Sequence, residues 1–152
     1  MTRNNTRAGG ALIAGAVLLI LAAVWGLIRL SGGGTPIDGS TSGARTAFIN
    51  SCGWETDATH CDLKEVRIPV EFDEVYEEYN KLQLQQGFDL RPYRAHSVKQ
   101  YTYLIHNYRD EGGTNLPDIY ANLLVEDGRI IGADITSGEA GSFIAALRHS
   151  ED

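Results

Sequence analysis

Apolar residues fall along this chain in three different rhythms. From Ala8 to Ile28 they run nearly unbroken and without a charge. At ~1.5 Å per residue, a run of that length can cross a ~30 Å bilayer core as a helix. The absence of charge favours insertion, and Trp25 near the far end suits the interface. Arg3 and Arg7 favour a cytoplasmic N-terminus, against Arg29 alone. The expected organisation is therefore a cytoplasmic N-terminus over 1–7 and a transmembrane signal anchor over 8–30. The rest of the chain would lie outside the cell membrane, which it spans once. A cleaved signal peptide is the rival reading. Against it, bulky Trp25, Leu27, Ile28 and Leu30 sit where a small-residue cleavage site is needed. Residues 31–43, rich in Gly, Ser and Thr, read as a flexible linker into a domain over 44–152.

Past the linker the rhythm becomes helical, then alternating. Ala44 to Cys52 reads as a short helix ended by Gly53. Leu63 to Ile68 alternates as a strand and is stopped by Pro69. Phe72, Val75, Tyr76, Tyr79 and Leu82 recur at three- and four-residue spacing. They predict an amphipathic helix over 71–86, closed by Gly87 at its C′ position. Val98 to Tyr108 is rich in β-branched and aromatic residues. Ile119–Glu126 and Arg129–Thr136 flank Asp127-Gly128, whose residue types suit the positive φ of a type I′ hairpin turn. A two-residue turn would set Glu126 opposite Arg129, Val125 opposite Ile130 and Leu124 opposite Ile131. Both sheet faces then carry apolar residues, so helices on both sides, or a partner on one, are expected. Phe143, Ile144 and Leu147 predict a closing helix over 142–148. The expected fold is α+β: an N-terminal transmembrane helix, then a compact domain with an antiparallel sheet of about four strands and about three helices.

Charge narrows the function classes. Every acidic residue lies at or after Asp38. Beyond residue 30 the chain holds 10 basic and 20 acidic residues. A domain this acidic repels nucleic-acid phosphates, so no nucleic-acid partner is expected. Phe48-Ile49-Asn50-Ser51-Cys52-Gly53-Trp54, Ile68-Pro69, Phe72 to Asn80, Gln86 to Leu90, Tyr101-Thr102-Tyr103 and Ala121 to Gly132 together resemble a small domain-of-unknown-function family. That family belongs to clostridia-type Gram-positive bacteria, and the likeness covers residues 44–147. It implies a membrane-anchored, extracytoplasmic domain and carries no catalytic residue. From Phe72 to Thr136, a helix followed by an antiparallel meander is similar, at the level of fold alone, to PepSY-type modules, which tend to bind or inhibit proteins.

Candidate chemistry is sparse. Cys52 and Cys61 could form a disulfide in an oxidising exterior, or remain free thiols. With His60 they match no standard zinc spacing, so no metal and no cofactor is expected. His96 and His106 have serines within reach of the sequence (Ser51, Ser97, Ser137, Ser142), but none sits in a nucleophile-elbow motif. Glu71, Asp73, Glu74, Glu77 and Glu78 form an acidic helix face, either plainly solvated or set for a cation or basic partner. Asp110-Glu111-Gly112-Gly113 lacks the ligand spacing of a calcium loop. Tyr101, Tyr103 and Tyr120, with Asn122, are the candidate interaction surface if exposed together, and core packing with satisfied hydroxyls otherwise. The expected function is a non-enzymatic protein-interaction module of the cell envelope. A small-molecule or peptide-binding sensor domain is second and a small hydrolase third.

Overall fold

The computed structural model describes residues 35–138 and 143–148. Across them the chain forms β1 (Ile37–Asp38), α1 (Ser42–Ser51), β2 (Asp62–Arg67), α2 (Glu74–Gln85), a 3-10 turn (Arg91–Tyr93), β3 (Ser97–Ile105), β4 (Ile119–Glu126), β5 (Arg129–Ser137) and β6 (Ile144–Ala145). All strand pairs are antiparallel. The spatial order is β1-β5-β4-β3-β2, with β6 also on β5. Since β4 takes one edge of β5, β1 and β6 share the other.

Local chemistry sets the element ends. Thr41 caps α1 by accepting from the Ala44 amide, and Asp73 caps α2 by accepting from the Tyr76 amide. Gly53 and Gly87 follow the two helices at φ 91° and 84°, the left-handed geometry of a C′ glycine. At the hairpin both Asp127 (φ 47°) and Gly128 (φ 74°) take the conformation of a type I′ turn. Glu126 then faces Arg129 and Val125 faces Ile130, as the turn predicts. Leu124, however, faces Gly132. Ile131 is the extra residue of a β-bulge, which the two-residue register could not show.

Side chains alternate between two sheet faces, and each has its own core. On the first face, Phe48 and Ile49 of α1 and Trp54 pack on Tyr103, Ile105, Ile119, Leu123 and Ile135. On the second, Phe72, Tyr76 and Tyr79 pack against Ile68, Leu90, Val98, Leu124 and Ile131. Ile130 goes to the first core and Ile131 to the second by ordinary alternation, and the bulge keeps Gly132 on the second face beside Leu124. The expectation of apolar residues on both faces with a helix on each side therefore holds.

The α+β class stands, but the element count is corrected. Among the described residues there are six strands and two α-helices, not about four and about three. The segment expected to close the fold as a helix instead pairs Ile144 and Ala145 with Thr136 and Ile135. Leu147 is buried there and its carbonyl accepts from the Trp54 indole at 2.7 Å. The pairing is tertiary, so the spacing of three apolar residues misled. Ile37–Asp38, within the stretch read as linker, pairs with Ile130 and Arg129. No helix among the described residues is long and apolar enough to cross a membrane. The run on which the span is expected, residues 8–30, lies outside the described residues. The expected transmembrane helix, and the placement in the cell membrane with the domain outside, therefore find no support in the structure.

Candidate functional site: the α2 side of the sheet

The sequence predicts that α2 docks by an apolar stripe. The structure shows a mixed attachment. Its fully buried side chains are Asn80 and Gln83, with Gln86 just beyond the helix. They go where backbone groups need partners. Between β1 and β6 the outer edge of β5 has no strand, and Ala133 lies in the gap. Gln83 fills it like a strand residue: its Oε1 accepts from the Ala133 amide at 2.8 Å and its Nε2 donates to the Ala133 carbonyl at 3.0 Å. Gln86 also donates to that carbonyl at 2.9 Å, and its Oε1 accepts the Leu147 amide at 2.8 Å. Buried backbone groups left unpaired are costly, which is why amides rather than aliphatics occupy these positions. Asn80 similarly accepts the Leu90 amide at 2.8 Å.

This docking turns part of the apolar stripe outward. Phe72, Tyr76 and Tyr79 form a ladder with ring centroids 4.6 Å and 5.7 Å apart. Beside it Val75 is 77% exposed and Val70 63% exposed. The ladder ends on a polar network. The Tyr79 hydroxyl donates to Asp134 at 2.7 Å, and the Asn122 amide donates to the other Asp134 oxygen at 2.8 Å. Asn122 also donates to Thr136 at 3.1 Å and accepts from Thr102 at 2.8 Å and Gln100 at 3.0 Å. Burial raises the Asp134 carboxyl above the ordinary carboxylate range. The two hydrogen bonds and the Lys64 charge oppose that rise. Desolvation, then the neighbouring Asp134, holds the Tyr79 hydroxyl well above its usual value.

The four residues expected to form one interaction surface separate. Tyr120 and Asn122 stand on the second face beside this network. Tyr101 and Tyr103 stand on the first. Tyr103 is fully buried with its hydroxyl accepting from Arg45 at 2.8 Å, while the Arg45 guanidinium stacks 3.7 Å over the Tyr101 ring. Cys52 and Cys61 are free thiols. Burial pushes the half-buried Cys52 thiol up, and exposed Cys61 donates to the Thr102 carbonyl. His96 meets Glu126 at 2.6 Å and His106 meets Asp57 at 3.1 Å, both near the surface; no serine bonds either ring among the described residues.

A shallow cleft of about 410 Å³ opens on the first face, lined by Gly39, Ser40, Glu65, Lys99, Tyr101 and Asp127 among others. Residues 110–113 form a turn closed by Asp110, which accepts from Thr114.

Sequence reasoning missed Asp134, Gln83 and Gln86. Asp134 did leave a signal: it is the lone carboxylate within the apolar strand Ile130 to Ile135. The glutamines left none, since a buried amide looks polar and is read as exposed.

Chemically, the α2 side offers a rigid aromatic ridge and hydrogen-bonding groups already committed to one another. This is a compact α+β domain. The chain belongs to the family described as a domain of unknown function (DUF4830), which matches residues 48–135, over half its length. No curated protein and no solved structure matches it.

Proposed function

We propose that this domain is a non-enzymatic protein-interaction module that receives its partner on the α2 side of the sheet. One observation carries the reading. Two valines stand far out of the surface beside an aromatic ladder whose last hydroxyl is fixed on a buried carboxylate. Exposed bulky apolar side chains on a rigid base are what an interface anchor requires, because little entropy is lost on binding. The domain's acidity weighs against a nucleic-acid partner. In-cell crosslinking of the full-length protein followed by mass spectrometry tests it. A recurrent partner captured by the native chain and lost with Val75→Asp is expected. An undiminished adduct in that variant would remove the surface from the account.

A second reading has its own support. The cleft on the first face exceeds ~300 Å³, the lower range of small-molecule sites, and its lining is polar. A ligand-binding sensor domain would use that cleft, and Lys99→Glu would then abolish binding while Val75→Asp would not.

A further inference from the structure

We infer that the partner received on the α2 side is a basic polypeptide segment with an apolar anchor. This rests on the reading of that side as an interaction surface. Glu71, Asp73, Glu74, Glu77 and Glu78 form an acidic ring at the start of α2 and are sequence neighbours of the exposed Val70 and Val75. Capping and the helix dipole explain part of the ring: Asp73 caps α2, and Glu74 and Glu77 lie in its first turn. Glu77 also pairs with Arg91, and Glu78 with Lys81. Glu71 and Glu74 have no ion-pair partner among the described residues. Among the described residues one guanidinium lies over the ladder: Arg94, 4.8 Å above the Phe72 ring.

The ring constrains the occupant. A second copy would bring the same carboxylates face to face, which disfavours self-association. Nucleic acid and anionic lipid are repelled for the same reason. A segment carrying Lys or Arg around a Leu- or Phe-like anchor matches on both counts. Its side chain covers the valines and its cations meet Glu71 and Glu74. The chain beyond residue 30, with 20 acidic against 10 basic residues in all, would steer such a partner in.

The test measures fluorescence anisotropy of a short dye-labelled Lys/Leu peptide with the full-length protein, beside its Glu/Leu counterpart. One variant neutralises the ring (Glu71→Gln, Glu74→Gln, Glu78→Gln). A control makes the same change in net charge elsewhere (Glu55→Gln, Asp57→Asn, Glu111→Gln). Expected results are binding of the Lys/Leu peptide alone, at least ~5-fold weaker for the ring variant, under ~2-fold weaker for the control, and falling with salt. Equal weakening by both variants, or equal binding of both peptides, would overturn the inference. In-cell crosslinking separates it from the reading beneath it. If Val75→Asp removes the partner but the ring variant keeps it, the surface stands and the basic partner falls. If Val75→Asp keeps the partner, the surface itself falls.

Discussion

Replacing Tyr79 by Phe removes one oxygen and leaves the ring in place. That oxygen donates at 2.7 Å to Asp134, which is buried and also accepts from Asn122. A hydrogen bond to a charged acceptor contributes about 1.5–3 kcal/mol net, a neutral one about 0.5–1.5 kcal/mol. The cost of Tyr79→Phe therefore depends on whether Asp134 is ionised. Burial raises its carboxyl, so folding makes its proton harder to lose than in the unfolded chain. Stability from a raised carboxyl is fully present below the ordinary carboxylate range and is lost as pH rises through the raised native value. Removing the Tyr79 donor, which helps hold that value down, raises it further and deepens the loss. Urea unfolding followed by tryptophan fluorescence should give a cost of about 0.5–1.5 kcal/mol for Tyr79→Phe in acid, growing to about 1.5–3 kcal/mol at pH about 8. In an Asp134→Asn background the pH dependence of that cost should vanish. A cost below about 0.5 kcal/mol at pH about 8, or one that does not change with pH in the native background, would refute the coupling of the ladder to Asp134.

Gln83→Leu keeps the bulk but strands the Ala133 amide. It should lose about 1–3 kcal/mol, with faster hydrogen exchange at Ala133. Gly128→Ala should cost about 1 kcal/mol by thermal denaturation. Its φ is 74°, and a new Cβ would lie 3.2 Å from the Ser40 Cβ. A thiol-reactive maleimide should label exposed Cys61 well before half-buried Cys52, whose thiol burial pushes up. Mass spectrometry of a time course reads the order.

Much of the fold was legible because it is local. The turn residues Asp127 and Gly128, the C′ glycines Gly53 and Gly87, and the alternation of β3 to β5 are all written in short windows of sequence. What escaped is tertiary. β1 and β6 are two residues each and exist because β5 offers a free edge, which no window around Ile37 or Ile144 reveals. The bulge at Ile131 shifts the register by one residue, so Asn122 meets Asp134 instead of Ala133. The apolar stripe was correct in Tyr76 and Tyr79, and in Phe72, which lies just before α2 because the helix begins at Glu74 and not at 71. It failed at Val75, because the need to satisfy Ala133 with Gln83 turns the helix and leaves that valine out. The tyrosines sorted by parity of position along their strands, but β3 and β4 oppose Tyr101 to Leu123 and Tyr103 to Ala121. Tyr120 therefore falls on the other face.

A partner seated on the α2 side would lie within reach of a photo-crosslinking amino acid placed at Val75 in the full-length protein. A matched probe at Leu63, which is exposed on the first-face side of β2, is the control. A discrete protein adduct is expected from position 75 and none from position 63. The reverse pattern, or adducts of equal yield from both positions, would rule out a partner on the α2 side.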